Sequence, residues 1–425
     1  MSKIQISNNQ RSFTLNDKPF FYLADTVWSA FTNIAIEEWE LYLDKRKKQG
    51  FNVLQINTLP QWDRSMSDIG VYPFDTEDGQ IFEFGRWHNE YYQRARIMCK
   101  MAKDRGFQLA LVVLWVNYVP GTWGSKMLDV NIMPKEFIKE YTEKVYQEFE
   151  EFDPVYIVSG DTDFDTPEAI EYYRIAVGEL CKLSPGALKA LHLKRAYCEI
   201  PEEFLEKIDF YMYQSGHNIM GQDMAYKLAE YFYKKYPTKP VINSEPCYEQ
   251  MGYSGNMYGR FGRRDVRKAA WTSLLSGAGA GVAYGAHGLW NWHKINKPVN
   301  VLLGEGFDTP TPWVEALCFM GAWDYGYIKH IFESNHIQEI TPSNELLEKN
   351  TEEIRIGKTN QGKYLIFVPS KTNLLLNTNL SGYKVKALDL DNKNIAYLDF
   401  EIVNEQTIIM LHGFERDVLI FAEEE

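Results

Sequence analysis

Residues 155–161 read Val-Tyr-Ile-Val-Ser-Gly-Asp, and residues 240–245 read Pro-Val-Ile-Asn-Ser-Glu. Each stretch is an apolar, β-branched run that ends in small residues and then in a carboxylate. Such a run is typical of a buried parallel strand that carries an acid to the edge of its sheet. Because nothing in the core needs a charge at that point, Asp161 and Glu245 are the first candidates for catalytic groups.

The segments on either side of these runs alternate between apolar strands and amphipathic helices. This alternation extends from residue 20 to residue 290 and contains eight predicted strands. Eight strand–helix units favour a (β/α)8 TIM barrel over a doubly wound sheet. The predicted strands are residues 20–26, 52–58, 108–115, 155–161, 188–193, 210–215, 241–245 and 279–284.

The hydrophobic period changes from 3.6 to 2 near residue 327, which indicates a small all-β sandwich domain after the barrel. We therefore predict a catalytic barrel domain over residues 1–326 and a β-sandwich domain over residues 327–425. The sandwich either binds sugar or braces the barrel, and bracing is the commoner outcome. Residues 4–20 read as a hairpin that either plugs or flanks the barrel. The predicted sandwich strands are residues 363–368, 383–388, 395–403, 407–411 and 418–422.

The composition limits the partners of the chain. A net charge of −13 argues against nucleic acid or an anionic membrane as the main partner. The longest apolar stretch, residues 109–116, is too short to span a bilayer. Residues 1–5 contain no apolar signal core, so we expect a cytoplasmic protein. A carbohydrate is the expected partner, and assembly into a homo-oligomer stays open.

No cofactor and no metal are expected from the sequence. The five cysteines are widely spaced and odd in number, which predicts reduced thiols rather than a metal clip or a redox pair. Asp161, Asp163 and Asp165 alternate as in a calcium loop, but the Gly and the distal Glu of that motif are missing. Ser215 does not lie in a nucleophile elbow. The Gly-rich residues 277–281 precede a strand, which indicates close packing rather than phosphate binding.

The carboxyl ends of barrel strands carry the catalytic groups in folds of this kind. Asp161 and Glu245 end the fourth and seventh predicted strands, across the barrel mouth from each other. Glycosidases work with such a pair of acids. An aromatic content of 15% fits sugar stacking as well as it fits a core of large side chains. The substrate-binding candidates are Asp25 as pocket floor, Trp28, Trp115 and Trp290 as walls, and Asn117, His192, Gln214 and His217 as hydroxyl-binding groups. Asn57, at the end of the second predicted strand, is a further candidate.

Several segments carry a resemblance to a known family. Residues 17–28 read Asp-Lys-Pro-Phe-Phe-Tyr-Leu-Ala-Asp-Thr-Val-Trp, and Ser-Gly-Asp follows at 159–161. Tyr-Gln-Ser-Gly-His stands at 213–217, Glu-Pro-Cys-Tyr-Glu stands at 245–249, and residues 277–290 include Tyr-Gly. Together and in this order, they resemble the apiosidase-like glycoside hydrolases.

The resemblance implies a (β/α)8 domain with a small C-terminal β-domain and an exo-acting glycosidase. It implies that Asp161 and Glu245 match the family's catalytic acids, and it adds Tyr284 to the substrate-binding candidates. Ser159 departs from the family, which commonly has Gly at that position.

The main hypothesis is a cytoplasmic glycoside hydrolase that cleaves a terminal sugar, with Asp161 as acid/base and Glu245 as nucleophile. The alternative is a non-catalytic carbohydrate-binding protein on a barrel scaffold, which would keep the aromatic residues but not two facing acids. A metal hydrolase would need His and Asp at ligand spacing, which the sequence lacks. The sugar, its linkage and the anomeric outcome stay open.

Overall fold

A computed structural model describes residues 3–255, 257–299, 308–349, 351 and 353–424. Eight parallel strands pair in chain order and close into a barrel, which confirms the predicted fold class. Every residue of these strands is buried except Asp161, which is half-buried, so each strand appears as an apolar run in the sequence. The strands β1 to β8 are Tyr22–Thr26, Val53–Asn57, Gln108–Trp115, Val155–Thr162, Lys189–Leu193, Tyr211–Gln214, Val241–Glu245 and Gly281–Tyr284.

Helices surround the barrel, and the helix Ile36–Lys48 shows how the sequence places them. This helix buries Trp39, Tyr42 and Leu43 on one face. It ends just before Gly50, whose φ of +93° favours glycine. The longer helices are Ile36–Lys48, Asn89–Asp104, Phe137–Phe149, Pro167–Leu183, Met224–Lys235, Arg263–Leu275 and Gly321–Ser334. The short helical segments are Ala30–Asn33, Val116–Tyr118, Trp123–Met127, Glu150–Phe152, Glu202–Leu205, Ile219–Gly221, Trp313–Ala316 and Asn344–Leu346.

The N-terminal segment forms a three-stranded antiparallel sheet rather than a simple hairpin. Its strands are Ile4–Ile6, Phe13–Leu15 and Lys18–Phe20. The buried ring of Phe13 packs edge-on against Phe210 at 5.3 Å and lies 5.9 Å from the ring of Tyr22. Tyr22 begins β1 and Phe210 directly precedes β6, so this sheet covers the amino-terminal end of the barrel. The carboxyl end of the barrel, where folds of this kind place their catalytic groups, is not covered by this sheet.

The C-terminal region contains two antiparallel sheets, as a sandwich requires. One prediction was wrong: residues 395–403 form two strands in different sheets, because the chain crosses between the sheets after Tyr397. The six-stranded sheet has the order Ile340–Pro342, Arg355–Thr359, Tyr364–Val368, Val418–Glu424, Tyr383–Asp389 and Ile395–Tyr397. The three-stranded sheet has the order Asn373–Leu376, Gln406–Met410 and Phe400–Val403. Outside the C-terminal region, in the loop after β2, a short hairpin pairs Phe74–Asp75 with Glu83–Trp87.

The central strands of the six-stranded sheet are buried on both faces. In the strand Tyr364–Val368, Leu365 and Phe367 join the hydrophobic core of the barrel, whereas Ile366 and Val368 join the core between the two sheets. This alternation is the two-residue period of a strand. The predicted boundary between residues 326 and 327 falls inside the helix Gly321–Ser334, and the division of the chain at that point stays a prediction.

A buried ion pair also joins the barrel to the last strand. The guanidinium of Arg267 is 1% exposed and donates two hydrogen bonds of 2.6 Å to the carboxylate of Asp417 and one of 2.8 Å to Asp324. This geometry gives Arg267 a structural role. We expect Arg267→Met to lower the free energy of unfolding by about 3–5 kcal/mol, because the buried carboxylate of Asp417 loses both hydrogen bonds that Arg267 donates to it. Urea unfolding of the whole chain measures this loss.

The neighbouring Lys268 provides the control for that measurement. It pairs with Glu353 on the surface, so Lys268→Met should cost less than about 1 kcal/mol. An equally small loss for Arg267→Met would contradict the structural role of the buried pair.

Candidate active site

A small cavity lies at the carboxyl end of the barrel. Asp161 at the end of β4 and Glu245 at the end of β7 both line it, so the structure places the two acids in one cavity. Five more of the predicted residues line it as well: Trp28, Trp115, Gln214, His217 and Trp290.

Glu245 is held by two imidazoles. One carboxylate oxygen, Oε1, accepts a hydrogen bond of 3.0 Å from Nε2 of His217, and Oε2 lies 3.4 Å from Nε2 of His192. Burial by itself would raise the pKa of Glu245, but the contacts with His192 and His217 outweigh it and lower the pKa to about 2. Glu245 is therefore ionised at neutral and mildly acidic pH, as a nucleophile or a general base must be.

Asp161 has a strained backbone. Its φ of +52° lies in the left-handed region, which costs a residue other than glycine about 1–3 kcal/mol. Its N–H donates to Nδ1 of His192 at 2.8 Å, and its carbonyl accepts a hydrogen bond of 2.6 Å from Nε1 of Trp123. These two contacts stabilise the strained conformation. Strained backbone conformations that are held by their surroundings are typical of active sites.

The residue before Asp161 must be small. A Cβ atom on Gly160 would lie 2.0 Å from the indole of Trp115. The glycine therefore allows the Trp115 ring to pack against the end of β4. Trp28 lies 5.4 Å from Trp115 between ring centroids, and its Nε1 donates a hydrogen bond of 3.0 Å to the hydroxyl of Tyr248. These rings give the cavity the aromatic walls that sugar rings stack on.

Several buried polar atoms of the cavity wall have no hydrogen-bond partner among the described residues. An unsatisfied buried polar atom costs about 1–3 kcal/mol, so a group of them on one cavity indicates a place for a polar ligand. Hydroxyl groups suit this set because they both donate and accept. The donors are Nε1 of Trp115 and Nε1 of Trp290, and the acceptors are Oε1 of Gln61 and Oε1 of Gln214.

Two predicted substrate-binding residues lie elsewhere. Asp25 does not form the pocket floor, because it is fully buried in the barrel wall, where its carboxylate accepts hydrogen bonds of 2.6 Å from Nε of Arg46 and from the hydroxyl of Tyr42. Tyr284 does not line the cavity either, because its hydroxyl donates to Glu249 at 2.6 Å. Both residues take part in buried packing between the barrel and its helices.

Three other predicted residues do not line the cavity. Asn57 and Asn117 are buried and are not part of the lining. His192 is also absent from the lining, but it contacts both acids, so its place is beneath the site rather than on its surface.

Four residues of the lining were missed by the sequence analysis: Gln61, Asp63, Tyr248 and Met251. They lie in the loops after β2 and β7, where the sequence has no hydrophobic periodicity from which a functional position could be predicted. Tyr248 had one signal, because it belongs to the segment at 245–249 that carried the family resemblance. Among the lining residues of the described chain, none is Lys or Arg, so the cavity offers no cation to an anionic ligand.

Comparisons with known proteins agree with this geometry. The family model "Apiosidase-like, catalytic domain" matches residues 7–339. A solved structure called a glycoside hydrolase has a TM-score of 0.81 at 19% identity, covering 100% of this chain and 97% of its own. A glycoside hydrolase family 5 protein from Bacteroides vulgatus ATCC 8482 has a TM-score of 0.82 at 20% identity, covering 99% and 93%. At these identities the likeness shows the fold. No curated protein matches the chain in sequence.

Proposed function

The chain belongs to the apiosidase-like glycoside hydrolases, and from that premise we propose that Asp161 and Glu245 are the two carboxylates with which it removes a terminal sugar. It is a glycosidase, and its substrate is a carbohydrate. The observation that carries the proposal is that both acids line one cavity at the end of the barrel where such folds place their catalytic groups.

The two acids have different surroundings, which supports different roles. Glu245 is kept ionised by two imidazoles, as a nucleophile requires, and we assign to it the attack on the anomeric carbon. Asp161 protonates the leaving oxygen as the glycosidic bond breaks, which gives a glycosyl-enzyme ester on Glu245. Asp161 then takes a proton from water, the water oxygen attacks the anomeric carbon, and Glu245 leaves as a carboxylate.

The lining of the cavity favours a neutral sugar. The unsatisfied indole and amide atoms would bind hydroxyl groups, and the absence of Lys and Arg from the described lining disfavours uronic acids and phosphorylated sugars.

A panel of nitrophenyl glycosides tests this proposal. We expect hydrolysis of at least one neutral pyranoside or furanoside, with a kcat/KM at least about 100-fold above that of the corresponding uronide or 6-phosphate, because a buried anion would have no partner in the cavity. Calorimetry with the same compounds distinguishes the alternative. Binding of a neutral glycoside without any turnover would favour the non-catalytic carbohydrate-binding protein.

The cytoplasmic location stays a prediction. All five cysteines are free thiols, which suits a reducing compartment. In the described ranges of the chain, each helix is too short or too polar to cross a membrane.

A further inference from the structure

One buried imidazole contacts both proposed catalytic acids. His192 lies on β5 and is fully buried. Its Nδ1 accepts the hydrogen bond of 2.8 Å from the backbone N–H of Asp161, and its Nε2 lies 3.4 Å from Oε2 of Glu245. Strand β5 is the neighbour of β4 but lies two strands away from β7. The side chain of His192 therefore connects two acids whose strands do not pair.

The contact with Asp161 also fixes the tautomer of this imidazole. A backbone N–H can only donate, so Nδ1 of His192 must accept and the ring hydrogen of a neutral imidazole must lie on Nε2. That hydrogen belongs to the atom next to Oε2 of Glu245. Neither Nε2 of His192 nor Oε2 of Glu245 has another hydrogen-bond partner among the described residues. Hydrogen bonds of catalytic groups are often long in a free enzyme and shorten when substrate binds.

The ring of His192 cannot easily turn away from this position. It stacks on Trp115 at 5.9 Å with an interplanar angle of 22°, and it meets Trp28 edge-on at 5.7 Å. The backbone of His192 is held as well, because its carbonyl accepts a hydrogen bond of 3.1 Å from the hydroxyl of Ser159. Ser159, the residue that departs from the family pattern, thus helps to hold the β4–β5 pair.

We propose that His192 is a positioning residue that holds the strained backbone of Asp161 and the carboxylate of Glu245 in fixed relation to each other. The inference rests on the proposed two-acid function. In this role His192 exchanges no proton with substrate. It fixes where the acid and the nucleophile stand, which matters because a displacement of about 1 Å in an active site can cost about 100-fold in rate.

Two conservative variants separate the two contacts of the ring. In His192→Asn the amide oxygen takes the place of Nδ1, so the acceptor for the Asp161 N–H is kept and the donor to Glu245 is lost. In His192→Gln the amide nitrogen takes the place of Nε2, so the donor to Glu245 is kept and the acceptor is lost. His192→Phe removes both contacts and keeps the aromatic stacking.

The two acids also have separate readouts. The low-pH limb of the kcat/KM profile reports the ionisation of Glu245. Because the hydrogen bonds from His192 and His217 lower the pKa of Glu245, the loss of one of these bonds moves the limb to higher pH. The ratio of kcat/KM for a 2,4-dinitrophenyl glycoside to that for a 4-methylphenyl glycoside reports protonation of the leaving oxygen by Asp161. The titratable groups that share the cavity wall with Glu245 or contact it are Asp63, Asp161, His192, His217 and Tyr248.

We expect His192→Phe to lower kcat by about 100-fold with KM changed less than about threefold, and His192→Asn and His192→Gln to lower it by about tenfold each. His192→Asn should move the low-pH limb by about one pH unit and leave the leaving-group ratio unchanged. His192→Gln should raise the ratio and leave the limb unchanged. The control His217→Phe should move the low-pH limb and leave the leaving-group ratio unchanged, because it leaves the Asp161 N–H bonded to His192.

Two results would overturn the inference. One is wild-type kcat, pH profile and leaving-group ratio in all three His192 variants. The other is a loss of rate that parallels a lowered melting temperature, without the separate changes of the low-pH limb in His192→Asn and of the leaving-group ratio in His192→Gln. That result would show that His192 has a structural role alone. Failure of the proposed function is separate, because it would appear as retained activity in Asp161→Asn and Glu245→Gln.

Discussion

Replacement of Glu245 by glutamine is expected to lower kcat by at least about 10⁴-fold, because it removes the ionised oxygen that attacks the anomeric carbon. Glutamine has nearly the same shape, and its amide oxygen can still accept the hydrogen bond from His217 that Glu245 accepts at 3.0 Å. The variant should therefore fold normally. Steady-state kinetics with the best nitrophenyl glycoside of the panel measure the loss, and thermal unfolding monitored by circular dichroism checks the fold.

Glu249 offers a matched control four residues further on. It is also buried, but its carboxylate accepts hydrogen bonds from the hydroxyl of Tyr284 and from the N–H of Gly321, outside the cavity. Glu249→Gln should keep kcat within about tenfold of the wild type. In Glu245→Gly, added azide should restore turnover and give a glycosyl azide of inverted anomeric configuration. More than a tenth of the wild-type rate in Glu245→Gln would contradict the assignment.

Replacement of Asp161 by asparagine should have the second largest effect, and its size should depend on the leaving group. A 4-methylphenolate leaves poorly without a proton, so we expect a loss of about 10³–10⁴-fold with that substrate. A 2,4-dinitrophenolate leaves without help, so its cleavage should fall by less than about tenfold. Measuring kcat/KM for both substrates with both proteins gives the comparison.

Asp163 is the matched control for this experiment. It lies two residues further along the chain and is buried, but it accepts a hydrogen bond of 3.0 Å from the N–H of Trp123 and pairs with Lys194 at 3.0 Å instead of lining the cavity. Asp163→Asn should leave the leaving-group dependence unchanged. Equal losses with both substrates in Asp161→Asn would show that Asp161 does not protonate the leaving oxygen.

The barrel could be predicted from the sequence because burial leaves a local signal. Apart from Asp161, every residue of the eight strands is buried, so each strand appears as an apolar run. In the C-terminal region the same reasoning failed at residues 395–403. Alternation continues through both halves of that segment, and nothing in the residue order marks the point where the chain crosses from one sheet to the other.

The candidate site could be predicted in part, because a carboxylate at a strand end is visible in the sequence but its partners are not. Asp25 also ends an apolar run, yet Arg46, from the following helix, binds it inside the wall. Gln61 and Asp63 come from a loop without a period, so their place in the cavity depends on the folding of the whole chain. A strand end predicts where an acid lies, and the three-dimensional surroundings decide its role.

Covalent labelling tests the central claim most directly. A 2-deoxy-2-fluoro glycoside of the preferred sugar, carrying a 2,4-dinitrophenyl leaving group, should react with the wild-type protein, and mass spectrometry of the intact chain and of its peptides should locate the label. If Glu245 is the nucleophile in the cavity that it shares with Asp161, one sugar per chain is bound, and it is bound to Glu245. A label on another residue, or no label on a protein that hydrolyses the parent glycoside, would contradict the account.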